Sequence, residues 1–348
     1  MPMQKYFIDL LNKNSASKNE SPKLTKKIAQ KLIERIKVIK LYAHSYSFNL
    51  NSQKGDYDAI DLLNFAHENR LNGINIHIDF GGKNNLRKKS KNGLEYIRLQ
   101  AEKLKLGINL EISSTSKEEV DSIVRIARIL DVKNIRVYIR YGGHISEIIK
   151  KGIKDLKYIS EIAKGDELSF VVEPHEVLKS NELVRIIKKV NSPQVRLLFD
   201  FGNMINANEN PLNALTVMSP YISQVHIKSV KKIKMKKGYG KIGVPEGEGD
   251  LPQMRMLFNL LLLGKFEPQV KFYALEQEVG YESPPFRFDN ENENPLIPNR
   301  EPSVTYLDKN KSVEENLLLE KQNASKQVQY VEALLKQMEI MSKSIIKE

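Results

Sequence analysis

The sequence predicts a (β/α)8 (TIM) barrel, because short apolar strand segments alternate with amphipathic helical segments along most of the chain. Eight strand segments occur, and each is followed by enough chain for a helix. Most of them are apolar at nearly every position, as expected for parallel strands that are covered on both faces. The first strand does not lead into a G-x-G-x-x-G turn, so we favour a barrel over an open dinucleotide-binding sheet.

The strand segments, in order, are VIKLYAHSYSF (38–48), GINIHI (73–78), GINLEIS (107–113), NIRVYIR (134–140), LSFVVEP (168–174), VRLLFDF (195–201), SQVHIKS (223–229) and KFYALEQE (271–278). The segments between them, such as EEVDSIVRIARIL at 118–130, repeat apolar residues every three or four positions. Ser116, with Glu119 three residues later, is typical of a helix start. The pattern therefore assigns a strand and a helix to each of the eight units.

Two parts of the chain fall outside this alternation. Residues 1–36 are lysine-rich with a helical pattern, and we expect an N-terminal helical extension that caps the bottom of the barrel. Residues 37–348 are expected to form one barrel domain. Within it, residues 281–311 are rich in Pro, Asn and charge, which predicts a lid or a flexible insertion. Residues 312–348 are then expected to form the last helix.

Composition narrows the class of protein. A hydrophobic fraction of 41% with 28% charged residues is typical of a globular protein with a sizeable core. No apolar run approaches the ~18 residues that a membrane span needs, and the first twenty residues lack the apolar core of a secretory signal. The sequence contains no cysteine, so any metal site must use His, Asp and Glu. We expect a cytoplasmic protein without a membrane partner.

The charge distribution indicates an anionic ligand. The net charge is +12, and the segment KSVKKIKMKKGYGK at 228–241 holds seven lysines and no acid. This segment starts beside one predicted strand end and leads to PEGEGD, so we expect a loop at the mouth of the barrel. Lysines there would attract a phosphorylated or carboxylated sugar, or an acidic partner. A solvated surface loop is the other interpretation.

Residues suited to metal binding occur at the ends of the last four strand segments. In a TIM barrel, the active site lies at the carboxyl ends of the strands. These residues are Glu173, Asp200, His226 and Glu276. Three carboxylates and one imidazole suit one divalent ion, such as Mn²⁺, Mg²⁺, Co²⁺ or Zn²⁺. Glu278 is an alternative to Glu276, because the two residues point to the same side of an extended strand.

The segments VVEPHE, LLFDFGNMIN, VHIKS, PEGEGDLP and ALEQE resemble the xylose isomerase-like superfamily of sugar phosphate isomerases and epimerases. The resemblance implies that the four residues bind one metal ion, and that Glu173 and Glu276 exchange a proton with the substrate from opposite sides. It implies substrate contacts in the same region, for which the candidates are Lys228, Asn203, His175, His44 and Glu248. Two positions depart from the family pattern. Asn203 replaces a histidine, and Lys241 is the nearest basic residue where an arginine is usual.

The expected function is a metal-dependent isomerase or epimerase that acts on a sugar or sugar-derived hydroxy-carbonyl compound through an enediolate. A sugar-acid or inosose-type dehydratase is the first alternative, because loss of a β-hydroxyl can follow the same proton removal. An endonuclease IV-like enzyme is less favoured, because its trinuclear zinc site needs many histidines, including one at the position of Asn203, and this chain has only six, most of them badly placed. A non-catalytic barrel, and assembly into a homo-oligomer, stay open.

Overall fold

The computed structural model describes residues 3–15, 22–175, 177–299 and 307–348, and it contains a closed barrel of eight parallel strands. The barrel strands are β1 Lys40–His44, β2 Gly73–His77, β3 Gly107–Glu111, β4 Asn134–Val137, β5 Ser169–Val172, β6 Val195–Asp200, β7 Ile222–Ile227 and β8 Phe272–Leu275. Each strand pairs with its neighbours in chain order, and β8 closes the barrel by pairing with β1. The predicted fold class is confirmed.

Helices surround the barrel. Their bounds are α1 Met3–Asn12, α2 Lys26–Ile36, α3 Asn49–Lys54, α4 Ala59–Glu68, α5 Lys91–Leu104, α6 Lys117–Leu130, α7 Ile145–Gly165, α8 Ser180–Val190, α9 Asn203–Asn206, α10 Pro211–Met218, α11 Gln253–Leu261 and α12 Val313–Lys347. Ser116 accepts a hydrogen bond from the backbone N–H of Glu119 and so caps α6, as its sequence predicts. Within the described ranges, no helix is long and apolar enough to cross a membrane.

The interior of the barrel changes from apolar to polar along the strands. Near the bottom, the buried Tyr42 ring occupies the space beside Gly73 and Gly107. A Cβ atom on either glycine would lie 2.4 Å from an atom of this ring or its hydroxyl, so both positions must be glycine for Tyr42 to fit. Two residues further along these three strands, the buried side chains are the polar ones of His44, Asn75 and Asn109. These side chains form the floor of the site described below.

The N-terminal extension and the last helix pack together outside the barrel. Arg35 of α2 donates hydrogen bonds to the carbonyl oxygens of Leu263, Gly264 and Phe266, which follow α11 at the bottom of the barrel. Glu320 of α12 accepts hydrogen bonds from the backbone N–H groups of Leu50 (2.8 Å) and Asn51 (2.9 Å). The last helix therefore holds the segment after β1, which lies at the mouth of the barrel.

The lysine-rich segment is a β-hairpin rather than a loop. Its strands are Val230–Met235 and Gly238–Gly243, and Glu282–Ser283 adds a third strand. The five hairpin lysines from 231 to 237 are exposed, and only Lys232, Lys234 and Lys236 alternate with apolar residues. In the segment that the sequence predicts to be a lid or insertion, Leu296–Ile297 pairs with Gly143–His144. Residues 300–306 of that segment lie outside the described residues.

A candidate metal centre at the mouth of the barrel

The structure brings the four predicted ligand residues together. Glu173 directly follows β5, Asp200 ends β6, His226 lies one residue before the end of β7, and Glu276 directly follows β8. Because neighbouring parallel strands end at the same edge, one side-chain ligand atom from each residue lies within 4.8 Å of those of the other three. All four side chains are buried, with Glu276 7% exposed as the most accessible.

Local backbone structure orients Asp200. Its Oδ1 atom accepts hydrogen bonds from the backbone N–H groups of Gly202 (2.8 Å) and Asn203 (2.7 Å). This turn, which starts the short helix α9, fixes the carboxylate plane. The Oδ2 atom is then directed toward the centre, where the Lys228 Nζ atom lies 2.9 Å away. In the D-F-G-N sequence, backbone hydrogen bonds therefore hold Asp200 Oδ1, and Asp200 Oδ2 is available to a metal ion.

The two glutamates after β8 have different partners. Glu276 belongs to the four-residue group, and its Oε2 atom lies 2.7 Å from Lys228 Nζ and 3.2 Å from His226 Nδ1. Glu278 lies between two lysines, with its Oε2 atom 3.1 Å from Lys228 Nζ and its Oε1 atom 3.0 Å from Lys241 Nζ. This geometry favours Glu276 over Glu278 as a ligand.

Asn203 and Lys241, the two departures from the family pattern, contact each other. Lys241 is fully buried, and its Nζ atom donates a hydrogen bond to Asn203 Oδ1 at 2.6 Å. The Asn203 Nδ2 group donates to Glu173 Oε1 at 3.1 Å. The amide therefore contacts one of the four residues directly.

Sequence reasoning missed two buried charged residues on the opposite wall, Glu111 at the end of β3 and Arg136 on β4. The Arg136 guanidinium bridges Glu111 Oε2 (2.6 Å) and Glu173 Oε2 (3.1 Å). Glu111 also lies 2.9 Å from His44 Nε2 and 3.3 Å from His226 Nε2. The segments NLEIS and NIRVYIR show these polar residues inside apolar strands, so applying the strand-end criterion to all eight strands would have found them.

The charges of this cluster match a divalent cation. Five carboxylates (Glu111, Glu173, Asp200, Glu276 and Glu278) surround three cations (Arg136, Lys228 and Lys241). Counted over these eight groups alone, a net charge of minus two is left in a buried site, where uncompensated charge is costly. One divalent ion would neutralise it.

The pKa directions show how burial and the neighbouring charges act on three of the four residues. Burial raises the pKa of Asp200 to about 6. Burial acts to lower the pKa of His226, but the negative charges of Glu276 and Glu173 outweigh it and raise that pKa well above its usual value. Burial opposes ionisation of Glu276 as well, yet the Lys228 ammonium and the neighbouring imidazoles hold its pKa well below the usual range.

Several buried nitrogen and oxygen atoms of the cluster also lack a hydrogen-bond partner. Among the described residues, Glu173 Oε2, Asp200 Oδ2, Glu276 Oε2 and both His226 ring nitrogens make no well-aligned hydrogen bond. Lys228 forms ion pairs with two of these oxygens, at 2.9 Å from Asp200 and 2.7 Å from Glu276. Because buried polar atoms are normally satisfied, these atoms fit a bound ion. In the described chain, a second possible ligand group consists of His44, His226 and Glu276. It shares His226 and Glu276 with the four-residue group, as expected if both surround one ion.

A cavity of about 410 Å³ opens above the cluster. Its wall includes His44, Arg136, His175, Asn203, Lys228 and Glu276. The His175 ring stacks on Tyr138, with ring centroids 4.1 Å apart. The backbone N–H of Tyr46 donates to His44 Nδ1 at 3.0 Å, so the other ring nitrogen carries the proton that faces Glu111. Four of the five predicted substrate-contacting residues therefore border this cavity.

Other residues that the sequence predicts to contact the substrate lie elsewhere. Glu248 is exposed in a turn and does not line the cavity. Of the seven lysines from 228 to 241, only Lys228 borders the cavity, and Lys241 is buried behind it. The exposed hairpin lysines are instead near Tyr239, Asp289 and solvent. The expected ring of lysines around the cavity is therefore not formed.

The fold and the site together define a TIM-barrel protein with a candidate single-ion metal centre at the carboxyl ends of its strands. The chain belongs to the xylose isomerase-like TIM barrel family, whose family model matches residues 20–267. The resemblance inferred from the sequence motifs is thus confirmed, and the family is one of enzymes that includes sugar epimerases and isomerases.

Three known proteins are similar to this chain, one in sequence and two in fold. The uncharacterised protein YihM of Escherichia coli (strain K12) is 39% identical over 309 residues, which cover 89% of this chain and 95% of YihM. D-Psicose 3-epimerase from Clostridium cellulolyticum H10, solved with D-tagatose, has a TM-score of 0.60 at 12% identity, covering 85% and 99% of the two chains. A xylose isomerase-like barrel from Mycobacterium smegmatis, solved with magnesium, has a TM-score of 0.58 at 13% identity, covering 89% and 99%.

Proposed function

We propose that this protein is a divalent-metal-dependent isomerase or epimerase of a sugar, or of a sugar-derived hydroxy-carbonyl compound. The observation that carries the proposal is the group formed by Glu173, Asp200, His226 and Glu276 beneath a cavity suited to a small molecule. The sugar epimerase with a similar barrel supports the substrate class.

The four residues would hold the ion, which on their donor set would be Mn²⁺, Mg²⁺, Co²⁺ or Zn²⁺. A bound ion of this kind supplies a Lewis acid that stabilises negative charge on the oxygens of a hydroxy-carbonyl substrate. The magnesium-bound barrel of the same family supports such a site. The other steps of the proposal are performed by side chains of this chain.

Proton transfer is assigned to Glu276 and Glu173. Glu276 borders the cavity, and its low pKa keeps it ionised and able to accept a proton from the carbon next to the carbonyl group. Removal of this proton converts the substrate to an enediolate. Glu173 Oε1 lies 3.5 Å from His226 Nδ1, the ring nitrogen that Glu276 Oε2 also approaches, and Asn203 and Arg136 hold one Glu173 carboxylate oxygen each. We assign to it the return of a proton.

The remaining side chains bind the substrate and stabilise developing charge. Lys228 places its ammonium group at the cavity wall, where it can donate to an oxygen that becomes negative. His44, His175 and Asn203 border the same cavity and are assigned to substrate hydroxyl groups. Proton return to the opposite face gives an epimer, and return to the neighbouring carbon gives the aldose or ketose isomer.

Deuterium incorporation tests this proposal at its first step. The metal-reconstituted protein should be incubated in D₂O with a panel of ketoses, aldoses and their phosphates, and the products analysed by NMR. For a substrate, we expect deuterium on the carbon next to the carbonyl group. Glu276→Gln and Glu173→Gln should each reduce the exchange by at least ~100-fold, the lower end for positioned acid–base groups.

A matched control is Glu246→Gln, because Glu246 is a partly buried glutamate that contacts Gln253 and Gln327 outside the cavity. This variant should exchange at the wild-type rate. Wild-type exchange in both Glu276→Gln and Glu173→Gln would show that another residue is the base. No exchange with any member of the panel would remove support for a reaction of this class.

A further inference from the structure

Every second residue from position 136 to 140, on β4 and directly after it, borders the cavity, and the three follow one another outward from the metal centre. They are Arg136, Tyr138 and Arg140. Arg136 lies beside the cluster, and its guanidinium carbon lies 5.2 Å from the centroid of the Tyr138 ring. Arg140 donates a weak hydrogen bond (3.4 Å) to the Tyr138 hydroxyl. One extended segment thus places two guanidinium groups in the cavity, separated by an aromatic ring.

The two arginines differ in their charge partners. Arg136 is buried and bridges Glu111 and Glu173. Arg140 is exposed, and no carboxylate of the described chain forms an ion pair with it. The lysine at the cavity wall, Lys228, contacts three carboxylates. Of the three cations at the cavity wall, Arg140 is therefore the one whose charge the described acidic residues leave uncompensated.

The wall of the same cavity also supplies neutral hydrogen-bonding groups, and its one acid outside the cluster has its own partner. Ser113 borders the same cavity and lies 3.0 Å from His77 Nε2. His77 Nδ1 accepts from the backbone N–H of Asp79, so Nε2 carries the proton and the Ser113 hydroxyl can donate outward. Asp79, an acid at the wall, is bound by two nitrogens of Arg87 at 2.7 Å and 3.1 Å. Its charge is thus compensated within the protein.

We propose that Arg140 binds an anionic group, a carboxylate or a phosphate, at the end of the substrate remote from the metal centre. The proposal rests on the proposed function, since it assumes that the hydroxy-carbonyl end lies at Glu276. A guanidinium group suits both anions because its planar N–H groups match two of their oxygens. The anion affinity that the sequence assigns to the hairpin lysines is thereby assigned to a different residue.

Binding experiments without turnover test this assignment. Calorimetric titration of the Mg²⁺-loaded protein should use inorganic phosphate, D-fructose 6-phosphate, D-glucuronate and neutral D-fructose. We expect the wild type to bind at least one anionic sugar more tightly than D-fructose. Arg140→Ala should weaken that binding by about tenfold or more, the effect of losing a charge-assisted hydrogen bond. Arg140→Lys should lose less, and the affinity for D-fructose should not change.

Two controls separate Arg140 from general charge effects. Arg125→Ala removes an exposed arginine from α6 on the outside of the barrel. Combined replacement of Lys231, Lys232 and Lys236 by Ala removes hairpin charge. Neither should alter the affinities by more than about twofold at 0.1 M salt, where such distant charges are screened.

The outcomes distinguish this inference from the proposed function. Equal affinity of wild type and Arg140→Ala for all anionic probes, or no measurable binding of any anionic probe to the wild type, would overturn the Arg140 site. Deuterium exchange into a neutral ketose would nevertheless support the proposed function. The phosphate and glucuronate arms show which anion the site accepts, and preference for either one supports the inference.

Discussion

The side chains of Asn203 and Lys241 form a hydrogen bond at the centre of a network that joins the two proposed proton-transfer residues. Lys241 Nζ donates to Asn203 Oδ1, and the Asn203 amide donates to Glu173. On its other side, Lys241 contacts Glu278, which contacts Lys228. Lys228 then contacts Glu276. The two residues that depart from the family pattern therefore complete one continuous polar network.

Replacement of Asn203 by Ala should impair catalysis more than metal binding. The variant removes the hydrogen bond that orients Glu173, whereas the four ligand side chains are retained. We expect deuterium exchange to fall by about tenfold, because one hydrogen bond to a charged group contributes about 1.5–3 kcal/mol. The metal content should stay near one ion per chain. Asn208→Ala, which removes an exposed hydrogen bond to Asp289, is the control and should exchange normally.

Metal analysis should separate Glu276 from Glu278. Asp200→Asn, His226→Ala and Glu276→Gln each remove a residue of the four-residue group, so each should lose most of the bound ion after reconstitution and desalting. Glu278→Gln should keep it, because Glu278 contacts two lysines instead. Elemental analysis measures the stoichiometry. Metal loss in Glu278→Gln with full retention in Glu276→Gln would reverse the assignment.

The affinity for metal should increase with pH. Burial raises the pKa of Asp200 to about 6 in the metal-free protein, and the neighbouring carboxylates raise that of His226 above its ordinary value. Below pH 6 both groups carry protons that binding must displace, so affinity should fall by about tenfold per pH unit for each proton. Above pH 6, Asp200 is ionised but His226 still carries a proton that the metal must displace. The metal affinity should therefore continue to rise with pH. Titration with Mn²⁺ between pH 5 and 8 measures this, and Glu246→Gln should give the same profile.

Replacement of Glu111 by Ala should destabilise the fold. The variant leaves the buried Arg136 with Glu173 as its remaining carboxylate partner. Breaking a buried ion pair costs about 3–5 kcal/mol, and we expect the lower end because that second partner is retained. Urea denaturation of the metal-free protein measures the free energy of unfolding. Glu102→Ala, which breaks the exposed pair with Arg98, should cost less than ~1 kcal/mol. Equal effects of the two variants would contradict a structural role for Glu111.

The fold and half of the site were predictable because they depend on local patterns. Strand and helix periodicity predicts the eight units, and the carboxyl ends of parallel strands must meet at one edge. Residues such as Asp200 and His226 could therefore be grouped without a structure. Glu111 and Arg136 were missed because only the last four strands were considered. The sequence predicts a loop rather than the hairpin at Val230–Gly243, because adjacent lysines interrupt the alternation that is typical of a half-exposed strand.

By itself, the sequence determined the barrel, the order of its strands and the four residues that could share an ion, since these follow from periodicity and strand direction. Only the tertiary structure decided which charges neutralise each other. Lys228 and Lys241 belong to the same lysine-rich segment as Lys232, yet the first two are buried among carboxylates and the third is exposed. The interaction energy of two charges depends on the distance between them and on their burial, and the position of a residue along the chain gives neither quantity. For the same reason, the uncompensated charge of Arg140 became visible only when the partners of every neighbouring group were known.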